Sequence, residues 1–167
     1  TTAWREAARQ MIKDAVNAST NDRVVFCGSG ATAAVNRLIQ LLGLEKGGSF
    51  AGCSQSLKDT DRPVVFIGPY EHHSNELPWR ESVAEVITIP LNSNGQIDVT
   101  QLSLKLSEFA DRPLIVGSFS AASNVTGVLS DVKGITKILK DNGALACWDY
   151  AAAAAYCPID MSSEPAI

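Results

Sequence analysis

Apolar residues along this chain alternate between two rhythms. Short unbroken runs, at Val24-Val25-Phe26-Cys27, Pro63 to Ile67, Ala84 to Leu91, Pro113 to Phe119 and Ala144 to Asp149, predict strands. Between them the apolar positions recur at helical spacing. Thr2 to Asn17 places Trp4, Ala7, Ala8, Met11, Ile12 and Ala15 on one face. From Ala31 the sequence repeats Val35, Leu38, Ile39 and Leu42, with Gly43 as a stop. Asn75 to Ser82 reads as a short helix carrying Leu77 and Trp79, and Asp131 to Lys140 presents Val132, Ile135, Ile138 and Leu139 before Asn142-Gly143 ends it. Asp98 to Phe109 fits both rhythms, since Leu102, Leu104 and Leu106 alternate while Val99, Leu102, Leu106 and Phe109 follow a helix. The helix is preferred, because Asp98 can cap it and a strand would break the alternation of elements. Asn92-Ser93-Asn94-Gly95 is a turn, and Glu45 to Arg62, rich in Gly, Ser, Lys and Asp, is a long loop.

Strands that are apolar throughout, rather than at every second residue, are buried on both faces, as in parallel sheets. Strand–helix alternation then predicts an α/β fold, three-layered α/β/α with a mostly parallel sheet and right-handed crossovers. The 167 residues match one domain or a piece of a larger one. Hydrophobic residues make up 46% and charged residues 19%, enough for a sizeable core. A net charge of −4 without a basic cluster argues against nucleic acid. No run reaches the roughly 18–20 apolar residues of a membrane span, and no signal peptide is visible. Cys27, Cys53, Cys147 and Cys157 lack metal-ligand spacing, and Cys27 and Cys147 read as small buried hydrophobes, in keeping with a reducing, cytoplasmic setting. The Thr1 start and the polar stretch before Ile167 suggest a piece of a longer chain.

Polar groups collect where the strands end. Gly28-Ser29-Gly30-Ala31-Thr32 follows the first run, Glu71-His72-His73-Ser74-Asn75 the second, Ser123-Asn124-Val125-Thr126-Gly127 a later one, and Asp149 the last. Such an arrangement predicts one cleft at the carboxyl edge of the sheet. Gly28 to Ala33 satisfies G-x-G-x-x-A, a dinucleotide pattern, but the acidic residue expected about 20 positions later is missing from a strand end. Small residues and free amides at a helix N-terminus remain suited to a phosphate. His72 and His73 are the only histidines. Either could stack on a planar ligand or take a proton, or simply sit in a helix-capping loop. Metal binding is disfavoured because neighbours in an extended segment point apart. Asn124 could hold a turn through its own backbone or offer its amide to a ligand. Asp149 is either satisfied by backbone amides or holds a proton on a ring nitrogen. A hydrolase triad with Ser29 lacks the G-x-S-x-G elbow.

Together these residues resemble the large domain of the class V aminotransferase and cysteine desulfurase family, fold-type I enzymes that depend on pyridoxal 5′-phosphate (PLP). The resemblance runs from Val24 to Met161 through Gly30-Ala31-Thr32, Glu71 to Trp79, Ser123 to Gly127, Asp149-Tyr150-Ala151 and Pro158-Ile159-Asp160-Met161. Within the family, Pro78-Trp79 looks most like the desulfurase and selenocysteine lyase branch. The resemblance implies that Gly30, Ala31 and Thr32 hold the cofactor phosphate, with the Thr32 hydroxyl contributing. It implies that His72 stacks on the pyridine ring, Asn124 lies near its phenolic oxygen, Asp149 pairs with its nitrogen and Ala151 packs on the other face. His72 and Asp149 would be the catalytic pair, acting on an amino-acid substrate in a homodimer. Two positions depart from the pattern: Ala152 stands where desulfurases carry Gln, and Ala33 where relatives carry Glu. Family members also form a Schiff base with a lysine after the next strand, whereas Lys13, Lys46, Lys58, Lys105, Lys133, Lys137 and Lys140 lie in helices or loops. The chain therefore reads as one fragment of a PLP-binding large domain without the lysine segment and small C-terminal domain. A non-catalytic binding or regulatory module of the same fold is the alternative, and a nicotinamide-dependent oxidoreductase a more distant one.

Overall fold

The structure, a computed structural model, describes residues 1–49 and 58–163. Its elements follow the order α1 (Thr2–Ala15), α2 (Gly30–Leu41), β1 (Val64–Ile67), α3 (His73–Glu81), β2 (Glu85–Thr88), α4 (Val99–Glu108), β3 (Ile115–Ser120), α5 (Val132–Asp141) and β4 (Leu145–Asp149). The four strands form one parallel sheet in the order β2-β1-β3-β4. Two apolar layers flank it, as the α/β reading requires. Val64, Phe66, Ile115 and Phe119 pack with Leu102 and Leu106 of α4 and Ile135 and Leu139 of α5. Val65, Ile67 and Val116, of opposite parity, pack with Ile39 of α2 and Trp79 of α3. β1 and β3 are buried along their whole length, so every side chain serves one layer or the other.

Local chemistry sets the helix ends. Asp98 caps α4, its carboxylate accepting from the amides of Thr100 and Gln101. Asp131 caps α5 by accepting from the Gly134 amide. α2 stops at Gly43, whose φ of +71° is open to glycine at little cost. The Gly43 amide donates to the Gln40 carbonyl and that of Leu44 to Ile39, while the Leu44 side chain is fully buried. The same pair of bonds closes α5 at Gly143 and Ala144.

Three expectations change. Val24–Cys27 is not a strand: a β-run needs a ladder partner, and among the described residues no strand pairs with it. Val25 is 57% and Phe26 51% exposed, and the segment is held by the Arg9 side chain, which donates to the Val24 carbonyl and lies over the Phe26 ring. Burial on both faces does not extend to β4, an edge strand whose Leu145 is exposed. The apolar face of α1 buries no residue, and Trp4 is 82% exposed. Part of the predicted loop, with Cys53, lies outside the described residues.

Gly117 lets α5 approach the sheet. A Cβ there would meet the Leu139 methyl carbons at 2.5 and 2.7 Å and the Phe119 ring at 2.9 Å. Gly117→Val should destabilise the fold by about 1–3 kcal/mol, read as a lower denaturant midpoint at unchanged slope. An unchanged midpoint would show that the layer is not packed as described.

Candidate functional site

The chain runs outward from β1 to β2 and then returns to β3, so strand order reverses between β1 and β3. Open α/β sheets form a crevice at such a point, outside the carboxyl ends of the strands. A cavity of about 390 Å³ lies on the α2 and α3 side of that edge. Gly30, Ala31, Ala34, Val35 and Leu38 of α2 form one wall. Cys147, Trp148 and Asp149 of β4 with Tyr150, Ala151 and Ala154 form another, and Asn75 and Ser118 also border it. Strand parity explains the choice: Ser118, Cys147 and Asp149 share the face that carries Val116.

Four of the residues singled out from sequence meet here: Gly30, Ala31, Asp149 and Ala151. At the start of α2, Ser29 makes no side-chain hydrogen bond to the helix and no acidic residue occupies the first turn. The first amides therefore face no protein anion, and the helix end favours a bound one. Asp149 accepts the Ala151 amide on Oδ1 at 2.8 Å, and Oδ2 has no protein donor among the described residues. The backbone-amide reading of this aspartate is realised at Oδ1, which shapes the turn.

Thr32, His72 and Asn124 are not among the residues bordering the cavity. Thr32 is exposed on α2. His72 is the N-cap of α3, with Nδ1 3.2 Å from the Ser74 amide, which donates to it, and 2.5 Å from the Ser74 hydroxyl. The capping alternative is thus realised, and it fixes the ring at the end of β1 with Nε2 uncommitted to the cap. Asn124 is exposed, and the turn it occupies is held by Ser123, whose Oγ accepts from the amides of Val125 and Thr126.

Asn75 and Tyr150 lie within the polar segments read from sequence as forming the cleft but carried no assigned role, and Ser118 and Cys147 were not read as cavity residues. Asn75 lies four positions after Glu71, and that spacing of a carboxylate and an amide was the available signal. Burial raises the Tyr150 hydroxyl above its ordinary range, with Cys157 adding to the effect. The carboxyl of Glu71 is also raised by burial, opposed by donors from Ser120, Asn75 and Gly68. Cys147 borders the cavity, yet its thiol sits among apolar atoms that push it up to about 11. Because the folded value exceeds the ordinary 9.0, the neutral thiol's contribution to stability is complete below pH 9 and is lost as pH rises through about 11. Alkylation of Cys147, followed by mass spectrometry, should remain slow at pH 8 and climb towards a midpoint near pH 11. Rapid labelling at pH 8 would contradict an apolar setting.

The model of the aminotransferase class-V family matches residues 1–164. A cysteine desulfurase of Pectobacterium atrosepticum is 31% identical over 164 residues, covering 96% of this chain and 36% of the relative. A cysteine desulfurase of Synechococcus elongatus is 30% identical over 162 residues, 95% of this chain and 23% of its own length. Among solved structures, the cysteine desulfurase CsdA of Escherichia coli superposes with a TM-score of 0.71 at 24% identity, over 95% of this chain and 37% of that one. The apo cysteine desulfurase of Thermococcus onnurineus gives 0.72 at 23% identity, over 95% and 36%. These two likenesses bear on the fold. The chain spans 23% to 39% of the length of the curated relatives it matches. Because that family model covers nearly the whole chain, this protein belongs to the aminotransferase class-V family.

Proposed function

We propose that this chain is the cofactor-cradling part of a PLP-dependent enzyme of the cysteine desulfurase type, acting on an amino acid by elimination or transamination. One observation carries the reading. A single cavity brings together a helix N-terminus without an acidic cap and a carboxylate with an uncommitted oxygen. A small aromatic phosphate fits that donor set, and about 390 Å³ lies within the range of small-molecule sites.

When bound, the cofactor supplies an electron sink for a substrate carbanion. The amides of Gly30 and Ala31 hold its phosphate, with the Thr32 hydroxyl at the rim of the same helix turn. Asp149 keeps a proton on the ring nitrogen through an ion pair. Val35 and Leu38 would exclude water from the ring, which strengthens that pair. Ala151 would help hold the ring from the cavity wall, and His72, oriented by its cap, and Asn124 would contribute from outside that lining. Among the described residues no lysine borders the cavity, and in this reading the anchoring lysine and the substrate contacts are supplied by other parts of the protein. The intact protein is a homodimer in this reading.

A non-catalytic module of the same fold is favoured by Ala152, whose methyl group offers no hydrogen bond where desulfurases resemble one another in carrying Gln. The nicotinamide reading keeps only its glycine pattern, because no strand leads into Gly28 among the described residues.

The protein extended beyond Ile167 along its reading frame should develop a visible band with PLP that borohydride fixes on one lysine. An intact fold that forms no adduct would transfer the reading to the non-catalytic module. In the extended protein, Asp149→Ala should abolish the ring-protonated absorbance and lower turnover on the order of 10²–10³-fold. An unchanged spectrum with unchanged turnover would remove Asp149 from this role.

A further inference from the structure

At the switch point a partly buried carboxylate joins the elements that meet there. Glu71 Oε1 accepts from the amides of Gly68, at 3.2 Å, and Ser120, at 3.0 Å. Its Oε2 accepts from Asn75 Nδ2, at 2.8 Å, and Ser120 Oγ, at 2.6 Å. One side chain thereby ties the end of β1, the first turn of α3 and the end of β3. Its donors continue away from it in one direction. The Ser118 hydroxyl donates to Asn75 Oδ1 at 2.8 Å, and the Trp79 indole N–H donates to Ser118 Oγ at 3.0 Å and reaches Asn75 Oδ1 at 3.4 Å. Asn75, Ser118 and Ser120 are almost wholly buried, and Trp79 is fully so.

The chain of bonds has a single sense because an ionised carboxylate only accepts. Asn75 must turn its NH₂ towards Glu71, which leaves its carbonyl for Ser118, and Ser118 then spends its one proton on Asn75. Asn75 and Ser118 border the cavity. Ser120 is the register partner of Asp149, and the next amide, of Ala121, donates to the Asp149 carbonyl. His72 follows Glu71 directly in sequence.

We infer that Glu71 is a positioning residue of this site: its carboxylate sets the hydrogen-bond sense of Asn75 and Ser118 on the cavity wall and fixes β1, with His72, relative to the strand pair that carries Asp149. The inference rests on the PLP reading for the identity of the ligand, but the wiring itself is independent of any ligand. Replacing Glu71 by an amide introduces a donor among four donors. Asn75 then has to flip or lose a bond, and the change passes through Ser118 to Trp79.

The test uses the protein with its full reading frame, isotope-labelled at tryptophan, and reads the indole N–H resonances before PLP is added and the PLP dissociation constant afterwards. Glu71→Gln should move the Trp79 resonance, leave those of Trp4 and Trp148 in place, and weaken PLP binding by at least about tenfold. Glu71→Gln combined with Asn75→Asp puts the acceptor one position further along the same chain. It should return the Trp79 resonance towards its original position and recover most of the affinity, which a merely structural role would not do. An unmoved Trp79 resonance in the single variant, no recovery in the double variant, or an affinity within twofold of the original would each overturn the inference. Should the single variant fail to fold, the double variant carries the test, and its failure to fold would also overturn it. Absence of PLP binding by the unaltered protein would instead refute the functional reading, leaving the Trp79 resonances to judge the wiring.

Discussion

The pairing of β1 with β3 is the contact on which the rest of the architecture depends. The two strands are neighbours in the sheet although α3, β2 and α4 lie between them in the chain. Their side chains are buried throughout, so the pair contributes to both apolar layers at once. Reversal of strand order at this pair sends the connections to opposite faces, with α3 on one and α4 and α5 on the other. The backbone is therefore open at the carboxyl ends just where no helix can cover both strands. Glu71 occupies that opening, and the cavity lies beside it.

Covering the two faces asks different things of the sequence. On the α5 side, large residues interdigitate and one missing side chain, at Gly117, lets the helix settle. On the α2 and α3 side, the apolar layer gives way to small and polar residues towards the carboxyl edge. Val116 is followed on that face by Ser118 and Ser120, and Cys147 by Asp149. The same strand parity that builds a core at one end of the strand thus builds a binding wall at the other. Trp79 marks the transition, with its ring in the apolar layer and its N–H in the polar chain.

Much of this could be read from the residues, because the signals were local. Asp98 caps α4 as its position suggested, Gly43 and Gly143 end their helices, and the unbroken apolar runs of β1 and β3 gave the parallel sheet. The segment Val24–Cys27 misled because apolar, β-prone composition does not supply a ladder partner, and pairing is a property of the whole sheet. At the site, the helix terminus and Asp149 were legible from spacing, whereas Asn75 and Ser118 were not. Each is an ordinary polar residue until burial and the Glu71 carboxylate, one helical turn from Asn75 and reaching Ser118 through it, dictate where its protons go. The turn around Asn124 shows the same limit. Ser and Asn stand side by side there, and only the backbone geometry selects Ser123 as the acceptor.

The central position of β1 also has a bearing on synthesis. Emerging from the ribosome, β1 finds β2 soon afterwards, but its other edge waits for β3. The separation is about fifty residues, and at roughly 5–20 residues per second that delay lasts several seconds. During that interval Val64 to Ile67 presents an unpaired backbone edge flanked by apolar side chains that will later be wholly buried. The nascent chain is then an open template for other extended segments. How long that edge stays open bears on this protein's yield separately from the stability of the finished sheet.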